Sequence, residues 1–491
     1  MKRNTRNRRV IYEVGGYMGS TAQYNQLRTR KQVSASWMWG CGFLTSLICV
    51  GGCLFSLVMM PIAFRALPDN LQNSIARRIP ILIALLPPTE TIDPKLEVVP
   101  TIDPARAATA AAQFGQPLTN PSEVLPGAVI SATPILGPTR IPTQTATPRP
   151  TATSEPLPVA FYSPRPITRE AQTWNNCGPA NLVQGFRSIG HQLSQKEAAS
   201  WLKPNDRDAN VSPWQLAEFA NRYTQARVVV RVNGTLELMK RLIYNGFGVI
   251  IETGLRDHED NSWLGHYVTL VGWDDIGDAN GGGFFYGLDT LEDNGRDGKG
   301  VHEHYGDLDE RWKHFNRVYL VVYPAEQEGK LRLLLGTDWD ERTNIEGGLV
   351  RSFQETKLNP NDPYPWFNIG TNYTMLGEYE RATAAFDLSR ATGSGWEWRM
   401  LWYQFGPLKA YYQVGRYEDV FTLANSVLGR VKYIEEIYYY RGLALAAMGN
   451  LQQARSDLQY AADFNPNFEP AFAALSQMQA GQVPLPDRRV L

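Results

Sequence analysis

Residues 32–64 carry no charged side chain, and that stretch decides how the rest of the chain can be arranged. Its centre, residues 37–64 (WMWGCGFLTSLICVGGCLFSLVMMPIAF), exceeds the roughly 20 apolar residues that a membrane-spanning helix needs. A helix in an aqueous core seldom stays uncharged for so long. Lys2, Arg3, Arg6, Arg8, Arg9, Arg28, Arg30 and Lys31 precede it, with Glu13 the one acid among them. Basic flanks stay on the cytoplasmic side, and Trp37 and Trp39 fall where an interfacial aromatic belt would sit. The run starts later and is longer than the apolar region of a cleaved signal peptide, about 7–15 residues. The expectation is therefore a cytoplasmic basic N-terminus over 1–35 and one uncleaved transmembrane helix over 36–64. Everything after it is expected to be extracytoplasmic, a single-pass arrangement that suits a bacterial envelope.

Cysteine usage follows the same division. Cys41, Cys49 and Cys53 lie in the apolar run, which leaves Cys177 alone in the exported part. A lone thiol in an oxidising space is open to oxidation or dimerisation, so its presence asks for a reason. Net charge is −1 with 20% charged residues, which gives no basic excess for nucleic acid.

Residues 65–160 are read as a linker, dense in Pro, Thr and Ala from 88 onward and repeating TIDP at 91–94 and 101–104. Such a composition buries too little apolar surface to fold, which predicts an extended linker. Residues 161–330 predict a mixed domain. Helical patterns follow Cys177 and recur in KEAASWL, PWQLAEFANRY and LELMKRLIYNG, and the runs GVIIETGL, HYVTLVGW, FFYGLD and NRVYLVVY then predict strands parted by Gly- and Asp-rich turns. Helices first and antiparallel strands after is an α+β layout. A connector spans 331–358. Over 359–480, Trp366, Ile369, Gly370, Tyr373, Gly377, Tyr379, Ala382 and Phe386 follow W-x2-L-G-x2-Y…A-x3-F, and Gly377, Gly415 and Gly449 are spaced by 38 and 34 residues. This stretch resembles tetratricopeptide repeats, about three of them, with Leu408 at a small-residue position of the middle copy. Such repeats form an all-α solenoid whose concave face grips peptides or partner proteins. A tail, 481–491, closes the chain given.

The chemistry concentrates at Gln172-Thr-Trp-Asn-Asn-Cys177-Gly-Pro-Ala. A cysteine at the start of a helix meets unsatisfied N–H groups and the positive dipole end, both of which favour thiolate. Pro179 suits the first turn, where its missing N–H is harmless. Gln172 can turn its amide toward a developing oxyanion alongside the Cys177 N–H. Among six histidines, His266 opens the strand run 267–273, and the following turn returns the chain so that Asp289 comes beside it. Asp289 would then orient the imidazole through its second nitrogen. Asp274 and Asp275 lie in the turn, where Asp usually serves local hydrogen bonds. His258 is read as a solvated loop residue.

Together QTWNNCGPANL, GHYVTLVGW and FFYGLD resemble the papain-like clan of cysteine peptidases, above all the bacteriocin-processing, double-glycine-leader peptidase family and its exported relatives. The resemblance covers about 170 residues. It implies a papain-like α+β fold with Gln172 as oxyanion donor, Cys177 as nucleophile, His266 as base and Asp289 as orienting acid. It implies a peptide or protein substrate and no cofactor. Two departures stand out. The chain has no G-x-x-x-x-G-K-[ST] nucleotide loop and is expected outside the cytoplasm, so a leader-cutting role does not transfer. Asp289 is followed by Thr290 where the family commonly has Pro.

The expected activity is that of a membrane-anchored cysteine peptidase whose repeats bind a protein partner. Two readings stay open beside it: amidase or transpeptidase work on wall peptides, and an inactive tethered peptide-binding scaffold. No metal is expected, since no Cys, Asp or Glu near His302-x-His304 completes a clear site, and the Asp/Gly-rich stretch after Asp289 lacks the spacing of a calcium loop.

Overall fold

The structure is a computed structural model, and it describes residues 99–115, 156–165, 167–256, 262–279, 281–291, 295 and 297–491. The basic arm, the helix expected over 36–64 and His258 lie outside the described residues. Among the described residues no helix is long and apolar enough to cross a membrane.

Inside the segment expected to be linker, the structure has a helix, α1 (Pro104–Gln113). Composition averaged over the whole stretch hides it. Locally, Asp103 caps the first turn by accepting from the Ala105 N–H at 2.9 Å, Pro104 fits the first helical position, and no further proline interrupts an alanine-rich run. Ala107, Ala110 and Ala111 are buried, and Phe114 packs against Trp366 with ring centroids 5.4 Å apart.

The next elements in order are β1 (Ala160–Tyr162), α2 (Cys177–Ser188), α3 (Gln195–Leu202), α4 (Pro213–Tyr223), β2 (Ala226–Arg231), α5 (Leu236–Tyr244), β3 (Gly248–Arg256), β4 (Trp263–Asp274), β5 (Phe284–Asp289), β6 (Val301–His304), α6 (Tyr305–Lys313) and β7 (Tyr319–Pro324). The strands form one antiparallel sheet in the order β2-β7-β3-β4-β5-β6, and β1 adds to the far end of β4. The strands expected from sequence pair here, joined by the short β1 and β6, which are three and four residues long. β3, β4, β5 and β7 are buried along nearly their whole length because both faces of the sheet are covered. Ile250, Tyr267, Leu320 and Val322 face α2, α3 and α4. Val249, Ile251, Val268 and Val321, one residue out of phase, face α5 and α6 on the other side.

The connector is helical: α7 (Glu328–Leu335) and the 18-residue α8 (Glu341–Leu358) lead into α9 (Pro363–Leu376), α10 (Tyr379–Ala391), α11 (Gly406–Gln413), α12 (Tyr417–Leu428), α13 (Glu435–Ala447), α14 (Leu451–Phe464) and α15 (Glu469–Gln479). These pack as successive hairpins, α9 with α10, α11 with α12 and α13 with α14. The repeat signature has a physical basis. A Cβ at Gly370 would stand 2.6 Å from the Phe386 ring, and one at Gly442 would stand 2.8 Å from Leu458, so the paired helices approach closely there. Gly377, Gly415 and Gly449 turn the chain at φ of 80°, 78° and 85°, a left-handed conformation that glycine adopts without strain.

The sheet domain and the repeats share a core. Val232, Trp263, Phe315 and Val318 from the first join Trp366, Phe367, Ile369 and Met400 of the second in one buried cluster. Polar bridges run beside it: Lys313 to Asp362 at 2.7 Å, Arg317 to Glu355 at 2.7 Å and Asn316 Nδ2 to Asn372 Oδ1 at 2.7 Å.

Candidate active site

Cys177 is the first residue of α2 and is half-buried. The turn before it is made by Asn175, whose φ of 51° is of a kind that Asn tolerates better than most residues. Lys203 Nζ donates to the Asn175 carbonyl at 2.8 Å and holds that turn. His266 and Asp289 are both buried. His266 Nε2 lies 3.1 Å from Asp289 Oδ1, and the thiol of Cys177 is hydrogen-bonded to the imidazole. Asp289 is itself fixed by the Leu291 N–H, which donates to Oδ1 at 2.7 Å. The three residues expected from sequence thus form one chain of contacts, thiol to imidazole to carboxylate.

The electrostatics favour a thiolate–imidazolium pair. Burial pushes the Cys177 thiol up, but the hydrogen bond and charge of His266, the Tyr267 backbone N–H and Lys203 outweigh it, and the thiol lies below its ordinary value. Burial pulls the His266 imidazolium down, but the Asp289 carboxylate outweighs that and pushes it to about 10.

Gln172 is half-buried on the loop before α2. Thr290 Oγ donates to Gln172 Oε1 at 2.7 Å, and the Gln172 N–H donates to the Thr290 carbonyl at 3.1 Å. With its oxygen held, the amide presents its NH2 end elsewhere, which is the end an oxyanion needs. Thr290 is the residue that orients it.

Sequence reasoning missed the network that sets α2 against the sheet. Asn181 Nδ2 donates to the Cys177 carbonyl at 3.0 Å and to the Tyr267 carbonyl at 2.7 Å. Gln184 Nε2 donates to Leu288 O at 2.9 Å and Thr269 Oγ at 3.2 Å. These bonds fix the helix that bears the thiol to the strands that bear His266 and Asp289. The signal was available: Cys177, Asn181 and Gln184 recur at intervals of four and three along the helix, so they share one face. Glu252 was also missed. It lies across the β3–β4 ladder from Tyr267, and burial, followed by the Cys177 charge, pushes its carboxyl well above the ordinary carboxylate range.

The other candidates fall away from this centre. Asp274 Oδ1 accepts from the Ile276 N–H at 2.8 Å, a local turn bond, and Asp275 pairs with Lys240. His302 Nδ1 lies 2.7 Å from Asp278, a carboxylate distant in sequence that the fold brings beside it. Among the described residues no group of His, Cys, Asp and Glu is arranged to hold a metal ion.

Residues 164–320 match the model of the Peptidase_C39 like family. No curated protein matches the chain. Solved structures that resemble it include a protein described as a C39-like peptidase from Bacillus anthracis, 14% identical, covering 33% of this chain and 96% of that one at a TM-score of 0.25. They also include MamA, 15% identical, covering 32% of this chain and 88% of that one at a TM-score of 0.25. The matched stretch begins before Gln172 and ends within β7, so the match to the C39-like peptidase family takes in the whole Cys177–His266–Asp289 arrangement, and tetratricopeptide-like helical hairpins follow it.

Proposed function

We propose that this chain is a cysteine peptidase that hydrolyses peptide bonds by acyl transfer through Cys177. The observation that carries the reading is the contact chain from the Cys177 thiol through His266 to Asp289, with the thiol lowered and the imidazole raised. The Cys177 thiolate attacks the scissile carbonyl carbon, and the carbonyl oxygen takes up the charge. The Gln172 amide and the Cys177 N–H are the donors in reach of that oxygen. The tetrahedral species collapses with cleavage of the C–N bond, and the leaving amine takes its proton from His266. Water then attacks the thioester, His266 accepts its proton, and the acid product leaves as the thiolate is restored. Amidase or transpeptidase chemistry on wall peptides would use the same first half and differ in the acceptor.

The proposed setting is a membrane surface, with the chain held by residues 36–64 and the peptidase and repeat domains outside the cytoplasm. The uncharged run and its basic flank support it. Protease accessibility on intact cells tests this directly: cleavage of the repeats from outside is expected, and protection of the repeats until lysis would refute it.

The catalytic reading is tested on the full chain by iodoacetamide labelling, with alkylation at Cys177 resolved by peptide mass spectrometry across pH. Fast labelling at pH 6 is expected, slowed about 10²-fold in His266→Ala, since an ordinary thiol near pKa 8.5 is under one per cent thiolate there. A wild-type rate that tracks an ordinary thiol would leave the inactive scaffold as the reading.

A further inference from the structure

The repeats reach the strand that carries the base. Tyr403 follows the short turn Met400–Trp402 between α10 and α11. Its ring is edge-on to Trp263, with centroids 5.8 Å apart at 75°, and to Phe315 at 6.1 Å and 74°. Between these rings lies Gly265, the residue immediately before His266. A Cβ at Gly265 would stand 2.9 Å from Tyr403 Cδ1 and 2.7 Å from Phe315 Cζ, so the backbone itself is clamped there by the rings. The Gly265 N–H is directed to the Tyr403 hydroxyl oxygen. Tyr403 and Glu252 also line one cavity of about 520 Å³ between the sheet and the repeats. Tyr403 therefore stands between that cavity and the catalytic strand.

We propose that Tyr403 is a positioning residue for His266, supplied by the repeat domain, and that the repeats are a built-in wall of the active site as well as a partner-binding surface. This rests on the reading of Cys177 and His266 as the reacting pair. His266 sits four residues into β4 and its ring must keep one distance to the thiol. A displacement of about 1 Å at a reacting group costs on the order of 10² in rate. At Gly265 there is no side chain to pack the strand in place, so the neighbouring rings do it.

The test uses the full chain and the same Cys177 labelling profile, with kcat and KM on a peptide substrate once one is found. Tyr403→Leu removes the ring, Tyr403→Phe keeps it, and Tyr460→Leu, on α14 away from the site, is the control. Tyr403→Leu is expected to slow labelling at pH 6 about tenfold or more and shift the profile toward an ordinary thiol, with kcat falling more than KM rises. Tyr403→Phe is expected to restore the profile to within about twofold, and the control to leave it unchanged. A folded Tyr403→Leu with the wild-type profile overturns the proposal. If that variant does not fold, Tyr403→Met, closer in volume, is judged by the same criterion. A wild-type chain without an acid-shifted profile overturns the catalytic reading itself and this proposal with it, which separates the two failures.

Discussion

Asp289 and Thr290 are neighbours that orient two different groups. Asp289 holds His266 by its second nitrogen, and Thr290 holds Gln172 by its oxygen. Replacing Asp289 by Asn keeps the shape and removes the charge. His266 then loses the interaction that pushes it to about 10, so its titration falls. A drop of about 10² in kcat/KM is expected, with an alkaline limb of the pH profile that moves to lower pH; an unmoved limb would mean that another group sets the imidazole. Gln172→Ala is expected to cost about 10²–10³ in kcat if the amide serves the oxyanion. Thr290→Val, which keeps the shape and loses the hydroxyl, is expected to cost less than Gln172→Ala and nothing beyond it when the two are combined. Additive losses would show that Thr290 acts elsewhere. The three residues that the fold brings together were legible in sequence because each sits at a local signal: Cys177 before a helix, His266 opening an apolar strand run, Asp289 closing one. The task of Thr290 was not legible, since its partner lies 118 residues away.

At the level of elements, periodic features were legible and coupled ones were not. The strands β3, β4, β5 and β7 announce themselves by unbroken apolar runs, and the repeat helices by glycines at the close approaches. The short strands β1 and β6 have too few residues to show alternation, and α1 was masked by the prolines around it. The polar contacts where α13 meets the loop after α3 could not be read at all. Asp208, Glu435 and Glu436 are buried there, and the Asp208 and Glu435 carboxyls are hydrogen-bonded to each other. Burial raises all three carboxyls, and Lys203 is the cation among them, its own charged form disfavoured by burial. The sign follows. The folded state keeps protons on these acids that the unfolded chain releases, so their contribution to stability is complete below the ordinary carboxyl range. It is lost as pH rises through the raised folded values. Lys203 contributes with the opposite sign. Asp208→Asn and Glu436→Gln are therefore expected to raise the melting temperature at pH 8 and flatten its decline from pH 5 to 8, measured by differential scanning fluorimetry against wild type. Variants with the wild-type slope would show that these acids are ionised in the fold and neutralised by other means.

For the whole molecule, the sequence suggests separate modules on a string, and the structure joins two of them. The repeats and the sheet domain bury Trp263, Phe315, Trp366 and Phe367 in one cluster, and charged bridges such as Lys313–Asp362 and Arg317–Glu355 cross beside it. Contacts between segments so far apart in sequence leave no local pattern, which is why the joint was not legible. Interfaces of this kind, apolar at the centre with paired polar groups around it, resemble a core more than a transient contact between domains. If that holds, the repeats cannot unfold while the peptidase domain stays intact, because Trp263 and Phe315 would be exposed and the start of β4 would lose its packing. Hydrogen exchange in rising urea tests this on the full chain. The amides of β4 and of α9 are expected to lose protection together, in one cooperative step with a shared midpoint. Earlier loss over α9, α10 and α11 while β4 stays protected would refute the coupling and return the repeats to the role of a tethered module. With the coupling intact, whatever binds the repeats acts on the same packed body that sets the distance between His266 and Cys177. A partner that shifts α10 or α11 by a fraction of a turn would then change the rate at Cys177 without touching the substrate.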